Sequence, residues 1–461
     1  MNKLPTSRAS RRAFLQRAGQ LSLTGVAAPW ALNLAAMAEA SAQTASDYKA
    51  LVCVFLYGAN DHGNTLPPYD AATHANYVSI RGSLATARAN LAATALTPSV
   101  ALPGGRQMAL APELAPLKTL FDAGRMGVLL NVGTLIQPTT LAQYNARSVP
   151  LPPKLFSHND QQSVWQSSLP EGATSGWGGR LGDLFQSGNG KSTFTCVNVS
   201  GNAVFMSGRD AVQYQVSTTG SVALRGIQSP LYGSQACSDA LRAITTASRS
   251  HLMAAEHTRV MARAIDANTS LSAALATTPA LTTPFDAANP LATQLQMVAR
   301  MIAARSALGA KRQVFFVSLG GFDLHDFLVA QHPGLLTNVG GAIKSFYDAT
   351  VELGVANQVT TFTGSDFGRT LTSNGDGSDH GWGSHQFLVG GAVQGGRFHG
   401  QLPAFSVNGP DDVGQGRLLP TTSVDQLAAT LATWMGVSNT NLPLVVPNIG
   451  NYSVRDLGLL G

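Results

Sequence analysis

Apolar runs and polar, glycine-bounded loops alternate along most of this chain. The first strong run, Ala50 to Tyr57, has no polar break. A strand covered on both faces reads this way, whereas a half-exposed strand alternates. It ends in the polar loop Gly58-Ala59-Asn60-Asp61-His62-Gly63-Asn64. A helical pattern over Pro112 to Ala123 leads into a second strand, Met126 to Val132. A loop holding Tyr144 and Ser157 to Gln161 runs into a helical stretch, Gln162 to Ser167, and a third strand spans Phe194 to Val199.

The centre has a different texture. Residues 236–267 and 291–309 are rich in Ala, Leu, Met, Arg and Glu at helical spacing, separated by a Pro/Thr-rich stretch from Thr277 to Pro290. This predicts a helical insertion at about 230–310, with His251 and His257 as solvated helix residues. The alternation then resumes: a strand from Gln313 to Leu319, an amphipathic helix from Leu335 to Leu353, strands at Gln358 to Thr363 and Phe387 to Val393, and a late helix from Val424 to Met435. Strands alternating with helices predict an α/β fold, a mainly parallel sheet with helices on both faces.

The N-terminus changes the reading of charge. Ser10-Arg11-Arg12-Ala13-Phe14-Leu15-Gln16 is followed by a diluted apolar stretch from Leu21 to Ala38 and small-residue sites at Ala36-Met37-Ala38 and Ala40-Ser41-Ala42. A basic region, an apolar region and an Ala-x-Ala site define a secretory signal, and the paired arginines point to the twin-arginine translocase as a transient partner. The stretch is too polar for a membrane anchor, which needs about 20 strongly apolar residues. Residues 1–42 read as the signal and 43–461 as a single domain, in the periplasm or secreted. The signal carries Lys3, Arg8, Arg11, Arg12 and Arg17 against Glu39 alone, whereas the whole chain is only +5. The remainder is close to neutral, which argues against a nucleic-acid partner. Of the three cysteines, Cys53 lies in an apolar strand, while Cys196 and Cys237 could pair in an oxidising compartment.

Candidate chemistry gathers in loops at or near strand ends: Asp61 and His62, Asp323 and His325, Asp366, and Asp379, His380 and His385. In an open α/β sheet the carboxyl ends of the parallel strands share one edge, so residues distant in sequence can converge there. Carboxylate and imidazole together suit zinc or manganese, whereas calcium favours oxygen alone. The same residues also suit helix caps and glycine turns. Arg369 could clamp an anionic group, or pair with Asp366. Trp165, Trp177 and Trp382 fit a cleft wall or the core. No Gly-x-Gly-x-x-Gly loop follows the N-terminal strand, which leaves a dinucleotide-dependent oxidoreductase without support.

The segments LYGANDHGN, SHNDQQ, GWGGR, SLGGFDLHD, GSDFGRT and DHGWGSHQFLVGGAVQGGRFHG together resemble exported bacterial proteins grouped as domain of unknown function family 1501, across essentially all of the chain after the signal. That family is similar in core architecture to the alkaline phosphatase and sulfatase superfamily. The resemblance implies that Asp61 corresponds to a first metal-binding aspartate, and Asp323 and His325 to the Asp and His of a second site, with one intervening residue instead of three. Asp366 takes the place of the Asp in an adjacent Asp-His pair, with Phe367 where the His would be. His380 or His385 resembles a final histidine before an apolar strand. Ser157 is the nearest match to a nucleophile, and no Cys-x-Pro-x-Arg motif is present. Two expectations follow: a hydrolase of phosphate or sulfate esters that uses a divalent metal (zinc, manganese or calcium) and takes an anionic small-molecule or polymer substrate, or a non-catalytic periplasmic or cell-surface protein that keeps the fold for binding or assembly.

Overall fold

The computed structural model describes residues 47–461; residues 1–42, expected from the sequence to be an export signal, lie outside the described residues. In chain order the elements used below are β1 (Lys49–Leu56), α1 (Ala71–Arg81), α2 (Ala115–Asp122), β2 (Met126–Gly133), α3 (His158–Ser167), α4 (Trp177–Phe185), β3 (Cys196–Asn198), β4 (Tyr214–Gln215), α5 (Gln235–Thr246), α6 (Leu252–Thr277), α7 (Pro290–Ala303), β5 (Arg312–Leu319), α8 (Leu328–Glu352), β6 (Val359–Ser365), β7 (Arg369–Ser373), β8 (Ser378–His380), β9 (Ser384–Gly390), β10 (Arg397–His399), β11 (Thr422–Ser423) and α9 (Val424–Met435). The main sheet runs β10-β2-β9-β6-β1-β5-β3-β4, with β11 also on β2. All its pairings are parallel except those of β9, which is antiparallel to both β2 and β6.

The apolar run of β1 divides between two cores. Ala50, Val52, Val54 and Leu56 pack with α2, α7 and α8 on one face. Leu51, Cys53 and Phe55 pack with α4 and α9 on the other. Period-two alternation explains why an unbroken apolar strand is needed: each face meets its own helical layer. Trp165, Trp177 and Trp382 are fully buried in the second core, so they are packing residues and not a cleft wall.

The central helices divide as well. In α7 the residues Leu291, Leu295, Met297, Val298, Met301 and Ile302 are buried, and α7 is one of the layers on the sheet. By contrast α5 buries only Ser238, and α6 buries residues only from Ile265 onward. Cys196 is buried beside Gly182 while Cys237 is exposed on α5, and both are free, so the pairing considered from sequence does not form.

Register is what builds the site. Leu56 at the end of β1 is level with Leu319 of β5 and Ser365 of β6. The three loops that follow therefore leave one edge at one height. The hydroxyl of Ser365 donates to the Leu56 carbonyl at 2.6 Å and accepts from the Asn60 amide at 2.9 Å, which locks the first loop to the third. Because β9 runs backwards, its start at Ser384 lies on this same edge, and the preceding hairpin β7–β8 arrives there too. That hairpin is polar (Arg-Thr-Leu-Thr-Ser and Ser-Asp-His), so its strand character has no hydrophobic signature; Asp379 and His380 lie on β8 and not in a loop.

Candidate metal centre

Two histidines point at a third. His380 Nε2 is 3.1 Å from His158 Nε2 and 2.9 Å from His325 Nε2. Asp323 closes the group: its Oδ1 is 3.1 Å from His325 Nε2 and 3.4 Å from His380 Nε2, and its Oδ2 is 3.4 Å from His158 Nε2. His158, Asp323 and His380 alone already form a group of ligand atoms within 4.8 Å of one another. Four donors about 2.0–2.1 Å from a tetrahedral ion would stand roughly 3.4 Å apart, and these five separations, 2.9 to 3.4 Å, lie at or under that spacing.

Each imidazole is gripped from behind. His158 Nδ1 lies 2.5 Å from Asp366 Oδ2, His325 Nδ1 lies 3.1 Å from Asp379 Oδ1, and His380 Nδ1 lies 2.6 Å from the Phe156 carbonyl. All three partners are acceptors, which assigns the proton to each Nδ1 and leaves each Nε2 as a bare lone pair. An oxygen acceptor behind each ligating imidazole is the usual support of a metal site. The residues present therefore fit a divalent cation. The nitrogen-rich set suits zinc, or manganese, and disfavours calcium.

The supports are themselves held. Asp366 is buried, and its Oδ2 also accepts from the Gly58 amide at 3.2 Å and Gln162 Nε2 at 2.9 Å. Asn374 Nδ2 donates to Asp379 Oδ1 at 3.0 Å. Phe367 lies against both His158 and His380, with ring centroids 4.8 and 5.0 Å away. The residue that departs from the pattern implied by the sequence resemblance thus packs against two candidate ligand rings.

Electrostatics agree with a cation-seeking centre. Burial disfavours charge on His380 and lowers its pKa, helped by the neighbouring His158 and Arg369. Burial acts the same way on His158, but the hydrogen bond and charge of Asp366, with Asp323, outweigh it and raise the pKa. The opposite shifts describe two rings too close to hold a proton each. Burial raises the Asp323 carboxyl, yet the Arg369 hydrogen bond and charge lower it overall, so it stays anionic.

A family model described as "Protein of unknown function (DUF1501)" matches residues 48–445. The chain belongs to this family. No curated protein matches the sequence. Among solved structures, the C-terminal periplasmic domain of EcEptC from Escherichia coli is similar at 10% identity, over 90% of this chain and 88% of that one, with a TM-score of 0.37. The lipoteichoic acid synthase LtaP from Listeria monocytogenes matches at 7% identity, over 88% and 77%, with a TM-score of 0.34. The PsFucS1 sulfatase from Pseudoalteromonas sp. matches at 9% identity, over 93% and 76%, with a TM-score of 0.35. Likeness at this level carries nothing about the reaction. Among the described residues, no helix of this DUF1501 protein is long and apolar enough to cross a membrane.

The DUF1501 chain brings together only part of the ligand set read from its sequence. Asp323, His325 and His380 converge, with Asp366 and Asp379 behind them as orienting acceptors. Asp61 does not join. Its Oδ2 is 2.6 Å from Arg81 Nη2 and accepts from Ser378 Oγ at 2.8 Å, while its Oδ1 caps the turn His62–Thr65 through the Asn64 amide at 2.9 Å. Burial would raise the Asp61 carboxyl, but Arg81 and its neighbours hold it well below the usual carboxylate range. A guanidinium thus supplies the positive charge that the resemblance assigned to a metal. His385 also stands apart: its Nδ1 accepts from the Asn131 amide at 3.1 Å, and burial depresses its pKa strongly. Ser157 Oγ donates to Asp160 Oδ2 at 2.8 Å, a local pairing within the first turn of α3. Arg369 pairs with Asp323, not Asp366.

His158 is the candidate ligand the sequence reading passed over. It lies within SHNDQQ, but no strand precedes it, and strand ends guided the choice. The pattern His158-x-x-x-Gln162, one helical turn apart at the start of α3, places both side chains on Asp366.

Proposed function

We propose that this protein is an exported, metal-dependent hydrolase of phosphate or sulfate esters with one divalent cation held by His158, His325 and His380. The observation that carries this reading is the convergence of three Nε2 lone pairs, each fixed by an oxygen acceptor at Nδ1. When bound, such a cation supplies Lewis acidity toward an ester oxygen. The chain itself supplies orientation: Asp366, Asp379 and the Phe156 carbonyl aim the rings, and Arg369 brings a fixed positive charge to the same place. Among the described residues, the hydrogen-bond partners of His158, Asp323, His325 and His380 include no Ser, Thr or Cys, so water is the attacking group on this reading.

Elemental analysis of the purified mature protein tests the centre: about one zinc or manganese per chain is expected, falling sharply in His158→Ala and His380→Ala. A panel of aryl phosphates and sulfates tests turnover, which should vanish in the same variants. Metal-free wild type at full purity would remove the basis of the reading. The engagement of Ser157 by Asp160 favours a second reading, metal-dependent binding without turnover; full metal content with no hydrolysis across the panel would select it. Export by the twin-arginine route is part of the proposal and rests on Arg11-Arg12; replacing both with lysine should leave the protein in the cytoplasm.

A further inference from the structure

Resting on the metal reading, we infer that Asp323 is an exchangeable stand-in for an oxyanion, occupying the position that a phosphate or sulfate oxygen takes when ligand binds. Arg369 is wholly buried, and its Nε and Nη2 are both committed to Ser378. Only Nη1 faces the cluster. Its short contact is Asp323 Oδ1 at 2.6 Å, with the Gly58 carbonyl at a long 3.4 Å. The same carboxylate oxygen lies 3.1 and 3.4 Å from two imidazole nitrogens. It therefore fills the one point that a fixed guanidinium and a cation held by the histidines would share.

Asp323 also differs from the other carboxylates in how it is held. The Asp366 and Asp61 side chains are 0% and 2% exposed and each accepts several hydrogen bonds, whereas the Asp323 side chain is 44% exposed and is anchored by Arg369 alone apart from the imidazoles. The three histidines do not depend on it, because each is fixed at Nδ1 by another group. A rotation about its own side-chain bonds takes it into solvent. That rotation alone strands a buried guanidinium, which is strongly unfavourable. An incoming dianion removes the penalty by taking over both partners, and a neutral ligand cannot. Exchange of anion for anion therefore selects phosphate or sulfate groups, and sets how tightly they bind.

The test uses zinc-loaded mature protein, wild type, Asp323→Ala and Asp323→Asn, with zinc content by elemental analysis and inorganic phosphate binding by calorimetry. Both variants are expected to keep about one zinc, and Asp323→Ala to bind phosphate on the order of tenfold more tightly than wild type. Phosphate should also raise the thermal midpoint of Asp323→Ala more than that of wild type, a reading available even if the variant is destabilised. Zinc in wild type but not in the variants would make Asp323 an obligatory ligand and overturn the exchange alone. Unchanged or weaker phosphate binding would overturn it too. Absence of zinc from wild type would overturn the metal reading and this inference together.

Discussion

His325 Nε2 lies 2.9 Å from His380 Nε2, and each ring presents its proton to an acceptor on the far side. Two lone pairs face each other at a distance that only a shared proton or a cation makes favourable. That relationship, with His158 as a third ring, is the most direct physical statement this site makes about its ligand.

The orienting acceptors should matter nearly as much as the ligands. Replacing Asp366 or Asp379 by Ala, or Gln162 by Leu, is expected to weaken zinc affinity by about 10- to 100-fold. Competition with a chromophoric chelator measures this directly. Equal affinity in all three variants would mean that the Nδ1 contacts do not position the rings.

Asp61 and Arg81 should separate stability from metal binding. Both are buried, so Arg81→Ala leaves a carboxylate unpaired and is expected to cost about 3–5 kcal/mol in denaturant unfolding. Asp61→Asn should also destabilise, yet keep its zinc. A loss of metal in Asp61→Asn without a loss of stability would restore Asp61 to the ligand set.

Two histidines away from the centre should set the acid limit. Burial disfavours the charged form of His62 and His332 and lowers each pKa to about 4 from an ordinary 6.5. In the unfolded chain these rings take up protons near pH 6.5, whereas the folded protein takes them up only near pH 4. The unfolded state thus binds more protons between those values, and stability falls as pH drops from about 6.5 to 4. The loss is on the order of a few kcal/mol for each ring. His332→Asn should flatten this pH dependence in chemical denaturation; an unchanged slope would show that the ring is not buried as a neutral group.

Thiol reactivity should report the packing of the cysteines. Cys237 is exposed, while Cys53 and Cys196 are buried and their thiols are pushed up, Cys196 to about 12. One thiol is expected to react rapidly with an aromatic disulfide in the native protein and three in denaturant. Cys237→Ser should abolish the rapid phase.

Gly58 should be intolerant of a side chain. It has φ of +108°, and a Cβ there would stand 2.4 Å from the Asp323 amide nitrogen. Gly58→Ala is expected to shift the loop that carries Asp323, to lower thermal stability and, by moving Asp323 away from Arg369, to tighten phosphate binding. Unaltered phosphate binding would show that the close approach of the two loops is not what places Asp323.

Much of the frame was legible in the chain alone. The apolar runs at 50–57, 126–132 and 313–319, the first without a polar break, predict buried strands, and they are strands within a residue or two, because a strand between two helical layers needs mostly apolar residues on both faces. The late helix, Val424 to Met435, was legible to the residue, since Ser423 caps it and Gly436 ends it in a left-handed conformation. Asp323, His325 and His380 could be read as a group because strand ends of a parallel sheet share an edge. What the chain could not show is which charges meet. Asp61 and Arg81 are 20 residues apart on different elements, and their pairing draws Asp61 away from the histidine cluster. His158 enters from a helix start and meets His380, 222 residues away, only because β9 reverses direction. Hydrophobic pattern determines which faces are buried; the partner of a polar atom is fixed by register and packing between segments remote in sequence, and that is why only the tertiary structure shows which candidate ligands meet.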